Sequence, residues 1–142
     1  MVKWEVDLTE FVPGTFGNIN QIINPNYDDL DREITAFNNE IHWNNMWTIH
    51  DAKDRLAAGW LFVGLFVNYK IKGWVWLNTS TNLLCNLYVN KEHRNFYNAK
   101  NLVLKLHSVA KELNIEKIYA ESDTWNDRSK LIALKTGYRQ QD

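Results

Sequence analysis

Residues 83–106, LLCNLYVNKEHRNFYNAKNLVLKL, decide the fold because they join an apolar run to an amphipathic one through a short polar loop. LLCNLYV is typical of a strand, and the apolar positions from Leu102 to Leu113 recur at the spacing of a helix face. A loop between a strand and the N-terminus of a helix is where many folds bind a phosphate group. Such loops are usually rich in glycine, yet residues 89–99 contain none.

The sequence on either side predicts a mixed sheet. WLFVGLFVNYK (60–70) and GWVWLN (73–78) are typical of two strands joined by a short turn at residues 69–72, and with LLCNLYV they predict an antiparallel meander. EKIYAES (116–122) predicts a further strand. Because a helix connects it to LLCNLYV, these two strands should be parallel. A last helix, DRSKLIALK (127–135), should end at Gly137, since glycine favours the left-handed conformation that terminates helices.

The N-terminal part of the sequence adds a strand and a helix. Val2, Trp4, Val6 and Leu8 alternate with polar residues, as in a half-buried strand. Residues 11–26 contain Pro and Gly and predict loops around a short helix, and residues 28–41 carry one apolar stripe that predicts a longer helix. The expected fold class is therefore α/β, a mixed sheet flanked by helices. No linker divides the chain, so residues 1–142 are expected to form a single domain.

The charge is unevenly distributed, although the formal net charge is only -1. Residues 1–60 carry 4 Lys and Arg against 10 Asp and Glu, whereas residues 61–142 carry 12 against 7. The small net charge argues against a nucleic-acid binder, and the basic second half either attracts an anionic ligand or faces solvent. The longest apolar run, WLFVGLFV, is too short to span a membrane. The one cysteine, Cys85, indicates a reducing compartment, so we expect a cytoplasmic protein.

No metal site is expected from the histidines. His42, His50, His93 and His107 lack the spacing of a metal-ligand set. We expect all four at the surface, with His107 on the polar side of its helix. Cys85 has apolar neighbours and is expected to be a structural thiol in the core.

The tryptophans leave two interpretations open. Trp74 and Trp76 lie on one face of a predicted strand, which favours the core. The alternative is an aromatic patch, with Trp60 and Trp125 nearby, that docks a protein partner or a second copy of the chain. No nucleic-acid or membrane partner is expected.

Two motifs in this element order resemble the GNAT (Gcn5-related N-acetyltransferase) superfamily. In that family a strand ending in Val is followed by the Arg or Gln that opens an R-x-x-G-x-G/A loop, and Val89, Arg94 and Ala99 occupy the corresponding positions here. A later family motif has Asn, a small residue, an apolar pair, Lys and Gly-Phe/Tyr. This sequence matches it at Asn126, Ser129, Leu131, Ile132, Lys135, Gly137 and Tyr138. The resemblance covers most of the chain and is best over residues 60–138.

The resemblance implies a GNAT-like acyl-CoA N-acyltransferase fold, with a mostly antiparallel central sheet, one parallel pair that splays apart, and a shortened C-terminus. It also implies acetyl-CoA as cosubstrate, bound by backbone N–H groups of the loop and by the splayed strand. The implied cofactor-binding residues are Leu87, Tyr88, Val89, Arg94, Asn95, Phe96, Tyr97, Asn98, Ala99, Asn126 and Ser129.

The implied reaction is direct attack of an amine on the thioester. It needs a base for the amine and a hydrogen-bond donor for the thioester carbonyl. Glu121, at the end of a predicted strand, is the candidate base, and the alternative is a strand-end carboxylate that faces solvent. Asp123 is interpreted as a turn or helix-capping residue.

Three features depart from the family pattern. Tyr97 stands at the central loop glycine, where its ring could cross the path of a pyrophosphate, and Asn95 replaces another frequent glycine. Ala133 stands where the family has the tyrosine that protonates the leaving thiolate. Only RQQD follows Tyr138, which predicts an incomplete acceptor wall and an open sheet edge that another subunit or partner would cover.

Three functions are compatible with these residues. The first is a GNAT-like N-acetyltransferase that transfers an acetyl group from acetyl-CoA to an unknown amine. The second is a catalytically inactive GNAT-fold protein with a structural or assembly role, for example a bacteriophage virion-associated protein, because small phage genomes encode degenerate proteins that look like this. The third is a module that binds another anionic ligand at the Arg94 loop.

Overall fold

A computed structural model describes residues 1–41 and 46–141. Within these ranges, seven strands and four helices follow one another along the chain. In chain order the elements are β1 (Val2–Asp7), β2 (Ile19–Gln21), α1 (Tyr27–Ile41), α2 (Ile49–Ala57), β3 (Leu61–Val67), β4 (Lys70–Asn78), β5 (Leu83–Val89), α3 (Phe96–Glu112), β6 (Lys117–Ser122), α4 (Asp127–Lys135) and β7 (Arg139–Gln140). The helices within the described ranges lack the length and apolar character that a bilayer crossing requires.

All of these strands belong to one sheet, in the order β2-β3-β4-β5-β6-β1-β7. Neighbouring strands are antiparallel except β5 and β6, which are parallel. The helix α3 connects these two strands, and a crossover of this kind is what a parallel pair requires. The predicted mixed sheet and its parallel pair are confirmed.

The sheet is covered by helices on both faces, because the side chains of its central strands alternate between the two. On β4, Val75 and Leu77 pack on the face that α3 and α4 cover, whereas Trp74 and Trp76 pack with α1 and α2 on the other. All four side chains are fully buried. The prediction that Trp74 and Trp76 belong to the core is confirmed, and the alternative that they form a docking patch is wrong.

The region between β1 and α1 differs from its prediction. The strand β2 stands where a short helix was expected, and its Ile19 is buried beside β3. Pairing with β3 satisfies the backbone polar groups of this segment without the apolar stripe that a packed helix needs. The β3–β4 turn also begins earlier than expected. Asn68 and Tyr69 both have positive φ, 51° and 66°, as in a two-residue hairpin turn.

Helix α2 has no counterpart among the predicted elements. Its start is fixed by a capping box, in which the Thr48 hydroxyl accepts the Asp51 N–H at 3.3 Å and the Asp51 carboxylate accepts the Thr48 N–H at 2.7 Å. Such a cap satisfies two N–H groups that the first turn of a helix leaves open. The cap holds α2 against the sheet with Ala52 buried, and Arg55 lies in its last turn.

The strand β1 lies beside the last strands of the chain. It pairs along its whole length with β6, from Val2↔Ser122 to Asp7↔Lys117, and its other side pairs with β7. Trp4 Nε1 donates a hydrogen bond of 2.8 Å to Ser122 Oγ. The strand β1 therefore supplies the neighbour of β6, and its own outer side pairs with β7 at two positions, Trp4↔Gln140 and Glu5↔Arg139. That another subunit or partner covers the rest of this edge stays a prediction.

His107 is fully buried, so the prediction of a surface position is wrong for this histidine. The segment after β1 crosses α3 and covers its polar side, and the Phe11 ring packs edge-on against the imidazole with 5.6 Å between centroids. His50 is exposed and His93 is half-buried. His42 lies outside the described residues. Across residues 1–41 and 46–141, no three His, Cys, Asp or Glu side chains are grouped as a metal site would require.

Candidate active site

A β-bulge in β5 shapes the candidate site. The register of β5 on β4 shifts between Tyr88 and Cys85, so Asn86 and Leu87 have no partner on β4. Asn86 has a φ of 55°, a left-handed conformation that asparagine tolerates better than most residues. Its Oδ1 accepts a hydrogen bond of 2.6 Å from Trp74 Nε1, which anchors the bulge to the core. A bulge bends its strand and removes backbone groups from the ladder.

The parallel strands β5 and β6 separate at this bulge. Their register consists of one pair, Leu83↔Tyr119, and the two fully described strands share no further pair beyond it. Asn86 and Leu87 therefore lack register partners on both sides. The gap between β5 and β6 therefore opens beside these two residues.

Three cavities meet at this gap, and Leu87 lines all of them. The loop cleft, of about 610 Å³, is lined by Leu87, Val89, Arg94, Phe96, Asn126 and Arg128. The inner cavity, of about 190 Å³, is lined by Leu87, Ser122, Ile132, Ala133 and Tyr138. The aromatic cleft, of about 700 Å³, is lined by Phe37, Trp47, Arg55, Leu87, Asp123 and Trp125. A hollow of about 850 Å³ beside β2 and the β3–β4 turn shares no lining residue with these three.

The structure brings most of the predicted cofactor-binding residues together. Eight of the eleven line the loop cleft, namely Leu87, Val89, Arg94, Asn95, Phe96, Ala99, Asn126 and Ser129. The other three, Tyr88, Tyr97 and Asn98, lie outside its lining. Tyr88 is buried on the opposite face, where its hydroxyl donates to the Glu33 carboxylate at 2.7 Å. Asn98 donates its side-chain N–H to the His93 carbonyl at 2.7 Å, which closes the loop.

Tyr97 does not obstruct the loop cleft. Its side chain is 70% exposed, is absent from the cleft lining, and packs edge-on against Phe96 with 5.9 Å between ring centroids. The Tyr97 ring therefore projects into solvent at the start of α3, beside the cleft. The ring lies outside the lining of the loop cleft, and its effect on a bound pyrophosphate stays a prediction.

The start of α3 offers two backbone donors. A helix leaves its first N–H groups without intrahelical acceptors, and those of Phe96 and Tyr97 have no partner in the described part of the chain. The Asn98 N–H is taken by Asn95 Oδ1 at 2.8 Å, and the Ala99 N–H by the Asn95 carbonyl at 3.3 Å. Asn95 thus caps its own helix and closes half of the donors that an anion could use.

Arg94 fixes the loop to its surroundings. Its guanidinium donates to the Val89 carbonyl through Nε at 3.0 Å and Nη2 at 2.8 Å, and Nη2 forms an ion pair with Glu40 at 2.7 Å. Arg128, which was not among the predicted site residues, is exposed and lines the loop cleft. Its place in the first turn of α4, two residues after Asn126 of the second motif, is the signal that could have identified it.

The inner cavity contains the position where the family resemblance led us to expect a tyrosine. Ala133 lines this cavity together with Tyr138. The Tyr138 hydroxyl lies 2.8 Å from His107 Nε2, and burial raises the pKa of this hydroxyl above its usual value. Burial also lowers the pKa of His107, from 6.5 to about 4. Both groups are therefore neutral near pH 7, and the pair provides no charged acid.

The aromatic cleft combines apolar walls with two charged side chains. Trp47 is buried in its wall and Trp125, at 77% exposure, stands at its surface. Arg55 and Asp123 supply the opposite charges. Burial raises the pKa of the Cys85 thiol in this cleft, so the thiol stays protonated at neutral pH and is a poor nucleophile.

Glu121 and Asp123 line different cavities. Glu121 lines the inner cavity with an exposed side chain, whereas Asp123 lines the aromatic cleft. The Asp123 carbonyl accepts the Asn126 N–H at 3.1 Å, which is the turn role expected from the sequence. Each carboxylate thus lies in a cavity that Leu87 also lines, Glu121 in the inner cavity and Asp123 in the aromatic cleft.

Comparison with protein families agrees with this geometry. The model of the acetyltransferase (GNAT) family matches residues 20–138, and the chain belongs to that family. A search of curated protein sequences found no significant match. The loop after β5 and the motif that begins at Asn126 both fall inside the matched range.

Solved GNAT structures share the fold. A GNAT-family protein from Novosphingobium aromaticivorans superposes with a TM-score of 0.71 at 16% identity, over 99% of this chain and 59% of its own. A GNAT-family acetyltransferase from Staphylococcus aureus gives a TM-score of 0.61 at 23% identity, over 85% and 83%. An aminoglycoside acetyltransferase from an uncultured soil metagenomic sample, in complex with trehalose, gives 0.64 at 15% identity, over 83% and 85%. The predicted GNAT-like fold is confirmed, and this chain spans less than two thirds of the Novosphingobium protein.

Proposed function

We propose that this chain is an N-acetyltransferase that transfers the acetyl group of acetyl-CoA to an amine. The observation that carries the proposal is the position of Leu87, at the bulge, where the loop cleft, the inner cavity and the aromatic cleft meet. A cosubstrate in the loop cleft and an amine in the aromatic cleft would meet at the separated ends of β5 and β6. Direct transfer needs such a meeting point, because the reacting atoms must approach to about 3.5 Å.

The loop cleft fits the anionic end of acetyl-CoA. The Phe96 and Tyr97 N–H groups at the positive end of α3 supply donors for a pyrophosphate, and Arg128 supplies a positive charge. The apolar side chains of Leu87 and Ile132 line the remainder of the cleft and suit the pantetheine arm. The free N–H pair and the lining arginine are the observations that support this fit.

The proposed chemistry is direct attack. The amine nitrogen forms a bond to the thioester carbonyl carbon, the C–S bond breaks, a base takes the amine proton, and the sulfur receives a proton. We assign the Leu87 N–H, which the bulge leaves without a ladder partner, to the thioester carbonyl oxygen. Asp123 is assigned as the base, directly or through water. The sulfur takes its proton from water, because Ala133 leaves no acid at that position.

We further propose that residues 1–142 act as one cytoplasmic domain. One sheet includes strands from residue 2 to residue 140, which supports a single folding unit. The one cysteine is a free thiol, as is usual in a reducing compartment.

Calorimetric titration with acetyl-CoA tests the first step of this function. We expect the wild-type protein to bind and Arg128→Ala to bind about tenfold more weakly, because it loses a charge-assisted contact with phosphate. Arg32→Ala, which removes an exposed arginine of α1 outside the three cavities, is the matched control and should bind as the wild type does. Absence of binding at millimolar acetyl-CoA would refute the proposal.

A structural or assembly role without catalysis is the second candidate, for example in a bacteriophage virion. It is favoured by Ala133 at the acid position and by the exposed apolar side chains of Trp125 and Leu131, which line the aromatic cleft and the loop cleft. In that case the wild-type protein would not bind acetyl-CoA, and it would self-associate or bind a partner through this surface. Light scattering of the wild type and of Trp125→Ala would then show association that the variant loses.

A further inference from the structure

Arg55 lies in an unusual environment on the α1–α2 face. Its guanidinium carbon is 5.1 Å from the Trp47 ring, 5.0 Å from the Trp60 ring and 5.3 Å from the Trp76 ring. Among the ion pairs of the described residues, none includes Arg55. Asp51, one turn earlier on α2, accepts hydrogen bonds at the helix cap instead. Within the described ranges, the cation is therefore surrounded by aromatic rings and has no carboxylate partner.

Three hydrogen-bond donors in this cluster are buried without acceptors. Arg55 Nη1, Trp47 Nε1 and Trp76 Nε1 are each shielded from water and unpaired within residues 1–41 and 46–141. The one other side-chain atom there in the same condition is His107 Nδ1, on the opposite face. Cation–π contacts offset part of the cost of burying a charge, but they satisfy no N–H group. Two of these donors, Arg55 Nη1 and Trp47 Nε1, belong to residues that line the aromatic cleft, which points to a hydrogen-bond acceptor bound there.

The other residues of the aromatic cleft indicate which kind of ligand could carry this acceptor. Burial lowers the pKa of the Arg55 guanidinium, but an arginine starts so high that it remains charged at neutral pH. The same cleft contains the Asp123 carboxylate, and its walls include Phe37, Ile41 and Trp125. A ligand with one negative group, one positive group and an apolar body complements these three features.

We propose that the aromatic cleft binds a small amine that also carries a carboxylate, an α-amino acid with an apolar side chain, and that Arg55 receives the carboxylate. This inference rests on the proposed function, because it names the acceptor class of the same site. The carboxylate accepts from Arg55 and from the Trp47 indole N–H, since both residues line the cleft, and the apolar side chain packs on the aromatic wall. The amine then lies in the part of the cleft that contains Asp123 and Leu87, where the acetyl group is delivered.

Titration with a matched pair of probes tests this assignment. L-phenylalanine and L-phenylalaninamide share the amine and the ring, and the amide lacks the carboxylate. Measured by calorimetry with and without saturating coenzyme A, wild type should bind the amino acid at least about tenfold more tightly than the amide, because the charge-assisted contacts are lost with the amide. Arg55→Met should abolish this difference, and Arg32→Met, at an exposed site on α1, should preserve it.

Thermal unfolding separates a lost ligand contact from a damaged fold. Arg55→Met places a flexible apolar side chain among the tryptophans and removes a buried charge without a partner, so its melting temperature should equal or exceed that of the wild type. Equal affinity of the wild type for both probes, or unchanged binding of L-phenylalanine by Arg55→Met, would overturn the inference and would mean that ordered water satisfies the donors.

The outcome is independent of the test of the transferase. A protein that binds L-phenylalanine through Arg55 but does not bind acetyl-CoA keeps this carboxylate site and refutes the acetyltransferase. A protein that binds acetyl-CoA and acetylates only amines without a carboxylate keeps the acetyltransferase and refutes the site. Release of free coenzyme A thiol, followed with both probes as acceptors, distinguishes the two.

Discussion

At the scale of single residues, His107 shows how a polar side chain enters the core of this protein. The segment after β1 is fastened along α3, where the Gly14 N–H donates to Ser108 Oγ at 3.0 Å. This segment covers the side of α3 that was predicted from its polar residues to face solvent. The Phe11 ring fills the space beside the His107 imidazole. The imidazole keeps one hydrogen bond, with the Tyr138 hydroxyl, and water is excluded.

This burial predicts a pH dependence of stability. The folded protein keeps His107 neutral down to a pKa of about 4, whereas the unfolded chain protonates it near 6.5. Between these values the unfolded state binds more protons, so the free energy of unfolding falls as the pH falls from 6.5 to 4, by roughly 3 kcal/mol for this group. Above pH 6.5 the contribution is constant.

Urea denaturation between pH 4.5 and 7.5 measures this dependence. His107→Gln should flatten the pH profile, because it removes the titrating group and leaves a neutral side chain. His50→Gln, at an exposed histidine, is the control and should keep the wild-type slope. A wild-type slope retained by His107→Gln would contradict the assignment.

At the scale of elements, the N-terminus of α3 has some backbone N–H groups that are capped and others that have no acceptor in the described residues. Asn95 satisfies the Asn98 N–H, which stabilises the helix, and leaves the Phe96 and Tyr97 N–H groups for a ligand. Family members have glycine in this loop, and a glycine would leave the third N–H free and let a phosphate approach the backbone. The Asn95 cap therefore stabilises the start of α3 and occupies one N–H group that could otherwise bind an anion.

Substitution of Asn95 separates these two contributions. Asn95→Gly should tighten acetyl-CoA binding about tenfold, because a further N–H can donate to a charged acceptor. It should lower the free energy of unfolding by only about 0.3 kcal/mol, since glycine is itself a tolerated N-cap. Asn95→Asp keeps the cap but adds a negative charge in the cleft, so it should weaken binding. Calorimetric affinities of the two variants that change in the same direction would contradict this account.

Local sequence signals predicted most of the elements and missed those whose stability depends on distant partners. The β5–α3–β6 unit was predicted because its periodicity and its connection are local. The short strand β2 was missed because its pairing with three residues of β3 decides it. The helix α2 was missed for a different reason, since its capping box from Thr48 to Asp51 is a local signal but no long apolar stripe follows it. The pairing of β1 with β6 was also missed, because residue periodicity identifies a strand but not its neighbour.

The difference between local signals and contacts of distant segments also explains which residues of the candidate site could be predicted. The loop-cleft residues that were predicted come from two short motifs, and each motif is recognisable from its own local sequence. The cluster of Arg55 with Trp47, Trp60 and Trp76 draws on α2, β4 and two connecting segments, and no local pattern indicates that these residues meet. Burial of His107 was missed for the same reason, since another segment covers it.

At the scale of the whole molecule, the uneven charge is arranged around the three cavities. The basic half of the sequence, residues 61–142, forms most of the loop cleft, and the acidic half supplies α1 and α2 on the other face. The proposed anionic cosubstrate would therefore approach a surface of opposite charge. Arg55 is a positive residue within the acidic half of the sequence, and tryptophan rings shield its partly buried guanidinium from solvent.

This arrangement predicts that the two ligands respond differently to salt. Raising the ionic strength from about 0.05 M to about 0.5 M should weaken acetyl-CoA binding about threefold or more, because exposed charges are screened. Binding of L-phenylalanine at Arg55 should change much less, since buried pairs are screened weakly. Titration of both ligands across this range with one protein preparation measures the contrast. Equal salt dependence for the two ligands would contradict the assignment of an exposed site and a buried one.

The strand β1 is synthesised more than a hundred residues before the strand it pairs with. Trp4 and Ser122, which join the two strands, are separated by 118 positions. Closing so long a loop is slow. Until β6 is available, the unpaired β1, with its apolar face exposed, is prone to wrong pairing. During translation β1 must therefore remain soluble until β6 has emerged, so the yield of folded protein depends on how this one strand is protected from premature association.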